Sequence, residues 1–412
     1  MATYSSIKEA IAAAAGIGGT DSATVSSIIT ADVDNAFVTN LGIGGGVTTH
    51  DISNTADIFS VDTSSFEDGS FHYLSGNNVM LYFDSDGDSF FTLDGTQILP
   101  WSSNGSTYGY AIGGYTSPNA NKQIQRFSFA SDGNSTDAGD LASGRRAAAG
   151  ASSSTHSYAA GGRVPSPSGV NTISKFAFAN EATQNNLSAT LPKIVTQTSG
   201  AMSETHGFSL AGNMPSFDRD IFRWSFSSDT ETVTTHAQTG AYYNTYTLGI
   251  SAPDYGYVVS GNQPSNSPNN SPTNNPNIFP NANTAIEKFS YASENTINLH
   301  GKLSNVHGNG PSGGPSDTHG YVAGGKGIPG TGSVNYISKF PFAAEDVATD
   351  VGDLTASRGT SAASSSTVST YIAGGAPSSG TVIDKVSFAA DNNATDVGDL
   401  NYNAYQCHGA QV

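Results

Sequence analysis

In the stretch DSDGDSF, Asp84, Asp86 and Asp88 stand at alternate positions, so three carboxylates can converge on a hard cation such as calcium. The downstream bidentate Glu of a helix-loop-helix calcium site is missing, and Asp/Gly-rich β-turns use the same residues. Other carboxylates recur in register: Asp137 and Asp140, Asp350 and Asp353, Asp396 and Asp399 all belong to TDxGD phrases. That periodicity reads as turn chemistry rather than as a pair of catalytic carboxylates. His156, His206 and His319 each stand two residues before a recurring aromatic, where a turn hydrogen bond is the plainer reading than metal or acid-base work. Tyr405, Cys407 and His408 are of types that bind copper, yet Cys407 takes the place that Ala148 holds in another repeat, which assigns it to packing.

Chemistry that distinguishes one ligand from another belongs where the repeats differ. Tyr115, Arg163, Phe217, Tyr242, Tyr243, Tyr246, Asn277, Phe279 and Tyr336 lie in or beside unlike loops. Tyr, Asn and Arg on such loops suit a sugar, through ring stacking and polar hydrogen bonds. The longest of these segments, residues 262–283, is built from Pro, Asn and Ser and cannot bury a core of its own. Asp218 and Asp220 are among the few aperiodic carboxylates, and the sequence does not pair them in space.

The elements that hold these residues repeat. An aromatic-plus-glycine phrase recurs at Tyr110, Tyr158, Phe208, Tyr257, Tyr321 and Tyr371, with spacings of 48, 50, 49, 64 and 50. Strand-built periods of this length indicate a propeller or a solenoid. Each unit then carries Ile-x-[Lys/Arg]-aromatic-x-aromatic, as in IQRFSF from Ile124 and ISKFPF from Ile337. Apolar residues on both faces suit a sheet covered on both sides, and the basic side chain can lay its stem on the sheet and extend its tip to water. Gly150, Gly200, Gly249 and Gly313 align on a strand of small residues, with Ala363 in the sixth unit and Gly409 in the carboxyl-terminal tail. The tail is thus expected to supply the inner strand that the first unit lacks, closing six blades without an exposed edge.

Three regions follow: a helical attachment and oligomerisation segment over 1–50, a small β module over 51–104 and a propeller over 105–412. In the first, Ile7, Ile11 and Ala14 share one helical face, and Val25, Ile28, Val33, Phe37 and Leu41 another. The second alternates short β-rich runs with Gly and Asp turns. The chain carries 16 Lys and Arg against 34 Asp and Glu, a net charge of −18, which argues against nucleic acid or an anionic membrane as partner. Its single cysteine cannot close an internal disulfide. No secretory leader or membrane-spanning run is recognisable, so the chain is expected to be made in the cytoplasm.

The order of small-residue strand, Tyr, Gly-Gly, aromatic strand and terminal Leu resembles the kelch family of β-propellers over residues 105–412, without that family's late Trp in each repeat. The wording ISKFxFA, ATDVGDL and SSSTHGYxAGG is similar to repeats in virion and tail-fibre proteins of marine tailed phages. That resemblance implies a virion component released by lysis, a homo-oligomer held to other virion proteins through its N-terminal region, and not an enzyme. With the unlike loops it leads to an expected contact with host-surface glycan, needing no cofactor beyond calcium. A head or neck decoration and a polysaccharide-degrading tailspike-like enzyme are the alternatives.

Overall fold

The computed structural model describes residues 102–412 except 117–118, 166–168, 214–216, 241–245, 262–283, 295–296, 327–331, 378–379 and 404, and before them residues 47–50, 66, 70–74, 79–84, 89–92 and 97–98. The helices expected around residues 7–14 and 21–41 lie outside the described residues. Two compact units divide the chain, Met1–Trp101 and Ser102–Val412.

In the first unit, Val47–His50, Phe71–Leu74, Val79–Asp84, Ser89–Thr92 and Gln97–Ile98 form one sheet in chain order. The first pair is parallel and the others antiparallel. Val47–His50 falls where a helical segment was expected; its run of Val, Thr and Thr favours the pleated backbone instead. Leu81, Phe83, Phe90 and His72 are buried, and the Phe66 ring packs on His72 with centroids 4.2 Å apart.

The second unit is an all-β, six-bladed propeller of four-stranded antiparallel sheets. From the axis outward, blade 2 is Ala149–Ser152, His156–Ala160, Thr172–Ala177 and Asn180–Thr190, and blades 3 to 6 repeat that order from Ser199, Leu248, Ser312 and Ala362. Blade 1 takes its inner strand, His408–Gln411, from the carboxyl end and its other three, Tyr108–Ile112, Gln123–Ser128 and Thr136–Asp140, from the start of the unit. Gly409 pairs with Ala111. The inner strands approach so closely that a Cβ on Gly200 would run into the carbonyl oxygen of Gly150, one on Gly249 into that of Gly200, and one on Gly409 into that of Ala363.

The aromatic pattern explains how neighbouring blades cohere. Each second-strand aromatic packs on the second aromatic of the next blade's third-strand motif: Tyr110 on Phe178, Tyr158 on Phe226, Phe208 on Tyr291, Tyr257 on Phe342, Tyr321 on Phe388 and, completing the circle, Tyr371 on Phe129, with centroids 4.7 to 5.3 Å apart. Such a pair contributes about 0.5–1.5 kcal/mol beyond its buried area. In five of the six blades the basic residue of the motif reaches across too, rather than ending in water, while Lys288 lies over Tyr255 of its own blade. Arg126 meets Glu181, Lys175 meets Asp229, Arg223 meets Glu294, Lys339 meets Asp391 and Lys385 meets Asp132, at 2.6 to 3.3 Å. These pairs are partly exposed and individually weak, so the stacked rings dominate.

The repeated phrases are scaffold. The first residue of each Gly-Gly pair, or of its Ala-Gly and Ser-Gly variants, is left-handed, with φ between 51° and 71° at Gly113, Gly161, Ala211, Ser260, Gly324 and Gly374. Thr155, Thr205 and Thr318 each place Oγ1 2.8 Å from Nδ1 of the following His. The TDxGD carboxylates lie not in turns but on outer strands, at β-bulges where Asp137, Asp350 and Asp396 accept the N–H of the Gly two residues on.

Candidate functional site at the mouth of the central channel

A channel of about 150 Å³ runs along the propeller axis, lined by the small residues of the inner strands. Residues 102–105 cross its far end: the Ser103 hydroxyl donates to the carbonyl of Ser251 on blade 4, and the Ser103 carbonyl accepts from Gln411 on blade 1. Gly105 N–H is bound by Ser365 on blade 6. The near end lies on the face that carries the blade-to-blade connections and the loops between second and third strands.

At this near mouth the backbone forms a closed ring. Ala147 N–H donates to Gln406 carbonyl, Gln406 to Thr360, Thr360 to Gly310, Gly310 to Tyr246, Tyr246 to Gln197 and Gln197 back to Ala147, at 2.6 to 2.9 Å. All six residues are left-handed, with φ between 52° and 65°, and five of them are not glycine. Where it is described, the residue just before a ring member pairs with the loop after the Gly-Gly phrase: Tyr405 with Tyr115, Arg146 with Arg163, Thr196 with Asn213, Asn309 with Lys326 and Gly359 with Ala376. Six-fold backbone symmetry therefore presents unlike side chains at equivalent positions.

The side chains contributed by blades 1 to 4 make a directed polar network. Asn213 Nδ2 donates to Gln197 Oε1 at 3.2 Å, and Gln197 Nε2 donates to the Tyr246 hydroxyl at 2.6 Å. From the other side, Arg146 Nη1 donates to Gln406 Oε1 at 2.9 Å, and Gln406 Nε2 donates to the same hydroxyl at 2.9 Å. The phenol oxygen has both lone pairs engaged, and its proton has no acceptor among the described residues. Burial raises the Tyr246 phenol above its ordinary value, against the Gln197 hydrogen bond and the nearby charges of Arg163 and Arg146, so it stays a donor at neutral pH. The Arg146 guanidinium lies over the Tyr115 ring at 4.4 Å, and Tyr115 meets Tyr405 edge-on at 5.3 Å. Every residue of this group is half-buried, as the wall of a cleft should be.

Three expected site residues, Tyr115, Arg163 and Tyr246, come together here. Phe217 pairs its backbone with Asn213, beside the cluster. Tyr336 starts the third strand of blade 5, is 38% exposed and stands apart from the network. Tyr242, Tyr243, Asn277 and Phe279 lie outside the described residues, as do Asp86 and Asp88; Asp84 ends a described strand without a described side chain. Among the described residues no group of three His, Cys, Asp or Glu is set to hold a metal ion. Arg146, Gln197, Tyr405 and Gln406 went unrecognised in the sequence, although all sit three or four residues ahead of the aligned inner-strand glycine.

Asp218 and Asp220 both bind Lys193, at 2.8 and 2.6 Å. Burial raises the Asp220 carboxyl, but hydrogen bonds from Lys193 and Gln238 outweigh it and hold the group below its ordinary value. Asp220 is an ionised clamp on a lysine. Cys407 is half-buried, with its thiol pushed up to about 12 by desolvation, and it packs against the blade 6 core.

No family model and no curated protein matches this chain. Among solved structures, the chain is similar in fold to one described as the structure of YjhT, with a TM-score of 0.52 and 14% identity over 71% of this chain and 98% of that one. That likeness shows the propeller fold alone. It also corrects the expectation that the chain is not an enzyme: a scaffold shared by unlike sequences hosts binding and catalysis alike, so missing sequence motifs exclude no activity.

Proposed function

We propose that this chain is a glycan-binding propeller of a tailed-phage virion, in a tail fibre or other receptor-contacting part, with the mouth of the central channel as its sugar site. On this reading the blades are kelch-like, and the N-terminal region joins the propeller to other virion proteins as a homo-oligomer. The repeat wording supports the virion assignment.

One observation carries the sugar reading. Equivalent backbone positions around the mouth hold Tyr405, Gln406 and Tyr115 on blade 1, Arg146, Ala147 and Arg163 on blade 2, Thr196, Gln197 and Asn213 on blade 3 and Tyr246 on blade 4, but Gly359, Thr360 and Ala376 on blade 6. Conserved geometry with diversified side chains is what a recognition surface on a rigid platform requires. Tyr115 and Tyr405 offer ring faces and edges, while Tyr246 offers a fixed hydroxyl donor.

Glycan-array binding by the intact chain, followed by titration of the best hit, tests this. Tyr246→Phe deletes one donor, a loss of about 0.5–1.5 kcal/mol, and should weaken binding roughly three- to tenfold. Tyr115→Ala should weaken it at least as much. A hit whose affinity survives both changes binds elsewhere on the molecule. Absence of any hit, together with normal host adsorption by particles lacking the propeller, overturns the function.

A further inference from the structure

Arg146 and Arg163 face each other across an antiparallel backbone bridge: Arg146 N–H donates to Arg163 carbonyl at 3.0 Å, and Arg163 N–H to Arg146 carbonyl at 2.8 Å. The motif arginines and lysines of five blades are engaged by carboxylates, and Lys122 and Lys193 are as well. Arg146 and Arg163 have no acidic partner among the described residues, in a chain with a net charge of −18. The undescribed loop segments within 102–412 contain no Asp or Glu either, so these loops bring no counter-ion.

The Arg146 guanidinium is also committed in orientation. Arg146 spends one Nη on Gln406 and its face on Tyr115, which fixes the plane and leaves its other N–H groups without a partner among the described residues. Arg163 Nε is buried without a hydrogen-bond partner among the described residues. A buried donor of this kind is satisfied by an acceptor that arrives with a ligand. Planar guanidinium forks match a carboxylate, and the pairing is charge-assisted.

Building on the sugar-binding reading, we infer that Arg146 and Arg163 form a carboxylate subsite, so that the glycan recognised is one with acidic sugar residues of the hexuronate kind. The chain's overall negative charge does not oppose this at close range. Charges more than about 8 Å away are largely screened at physiological ionic strength, and the full charges that act on the neighbouring Tyr246 phenol are those of Arg163 and Arg146. The arginine pair takes the carboxylate, with Tyr246 and the Tyr115 ring taking the sugar.

The test uses the full chain and three probes: a hexuronate oligosaccharide, the same oligosaccharide with its carboxyl groups reduced to alcohols, and a neutral oligosaccharide bearing sulfate esters. Binding is followed by calorimetry at two salt concentrations. The acid form should bind at least tenfold more tightly than the reduced form, and the preference should shrink in high salt. Arg163→Met and Arg146→Met should each abolish that preference, Arg146→Met also weakening every probe because it loses the Gln406 bond and the Tyr115 stack; a melting temperature equal to the parent's separates lost charge recognition from misfolding. Equal binding of acid and reduced forms overturns the subsite and leaves the sugar reading standing. Tighter binding of the sulfated probe than of the hexuronate overturns the carboxylate assignment. Failure of all three probes to bind, with the array also blank, overturns both.

Discussion

His307 sits in the connection ahead of blade 5 with both ring nitrogens engaged: Nδ1 donates to the Gly324 carbonyl at 2.7 Å, and Nε2 lies 2.8 Å from the Ser338 hydroxyl, which donates to it. Burial pushes the ring down to about 4, and His408 on the blade 1 inner strand down to about 3. Both are neutral in the native state, whereas the unfolded chain takes up protons near 6.5. Stability present above pH 6.5 is therefore lost as pH falls through 4 and then 3. His307→Asn should flatten the thermal midpoint between pH 6.5 and 4 relative to the parent; an unaltered slope removes His307 from the account. Glu287 behaves oppositely. Burial raises its carboxyl to about 7 from 4.5, against the hydrogen bond from Gly240 N–H. Native protein keeps this proton through pH 4.5 to 7 while unfolded chains release it, so its contribution is complete below 4.5 and is lost as pH rises to 7. Glu287→Gln should raise the melting temperature by a few degrees at pH 8 and leave it unmoved at pH 4, read by calorimetry. Arg358 and Asp384 pair at 2.7 Å with no exposure of either side chain. Asp384→Ala strands the guanidinium and should destabilise by about 3–5 kcal/mol in denaturant titration. A loss below 1 kcal/mol would mean that water reaches the pair.

At the level of elements, the ring at the mouth and the inner strands impose different demands. Thr360 is β-branched yet left-handed, at φ 57°, a conformation that disfavours side chains of its kind. Thr360→Gly should stabilise by about 1 kcal/mol, measured by chemical denaturation, because the strain is relieved and the ring's backbone bonds survive. Gly200→Ala should do the reverse. Its Cβ meets backbone rather than a movable side chain, and overpacking of this sort costs about 1–3 kcal/mol or more. If Gly200→Ala melts like the parent, the inner strands are not as close as described. These two positions also show what was legible beforehand. Gly200 declares itself through alignment with Gly150 and Gly249, since close packing demands the same letter in each blade. Thr360, Tyr246 and Gln406 occupy one structural position with different letters; each stands three residues ahead of the aligned inner-strand position, but their letters give no reason to compare them until the hydrogen-bonded ring does. Tyr115 and Arg163 were readable because each follows a Gly-Gly marker. The partners that orient them were not, because nothing in the connections marks distance from the axis.

Over the whole molecule, six blades and the strand that completes blade 1 followed from counting, since one residue position recurs at every inner strand down to Gly409. The boundary moved: the propeller unit begins at Ser102, because residues 102–105 bond to three different blades although they carry no repeat letters. Removal of residues 408–412 exposes the Tyr108–Ile112 strand as an unpaired edge, and such edges associate. The truncated chain should elute as aggregates in gel filtration and lose its single sharp melting transition; a monomer with the parent's melting curve would show that ring closure contributes little.

Blade 1 draws on both ends of the unit, and this has a bearing on biosynthesis. At about 5–20 residues per second, roughly a quarter of a minute to a minute separates the making of Tyr108 from that of Gln411. By the end of that interval the nascent chain has made five complete sheets, while the first blade has waited with three strands. A neighbouring polypeptide on the same message could donate the missing strand first, so crowded translation favours interlocked copies, and dilute, slow expression favours rings sealed by their own tail.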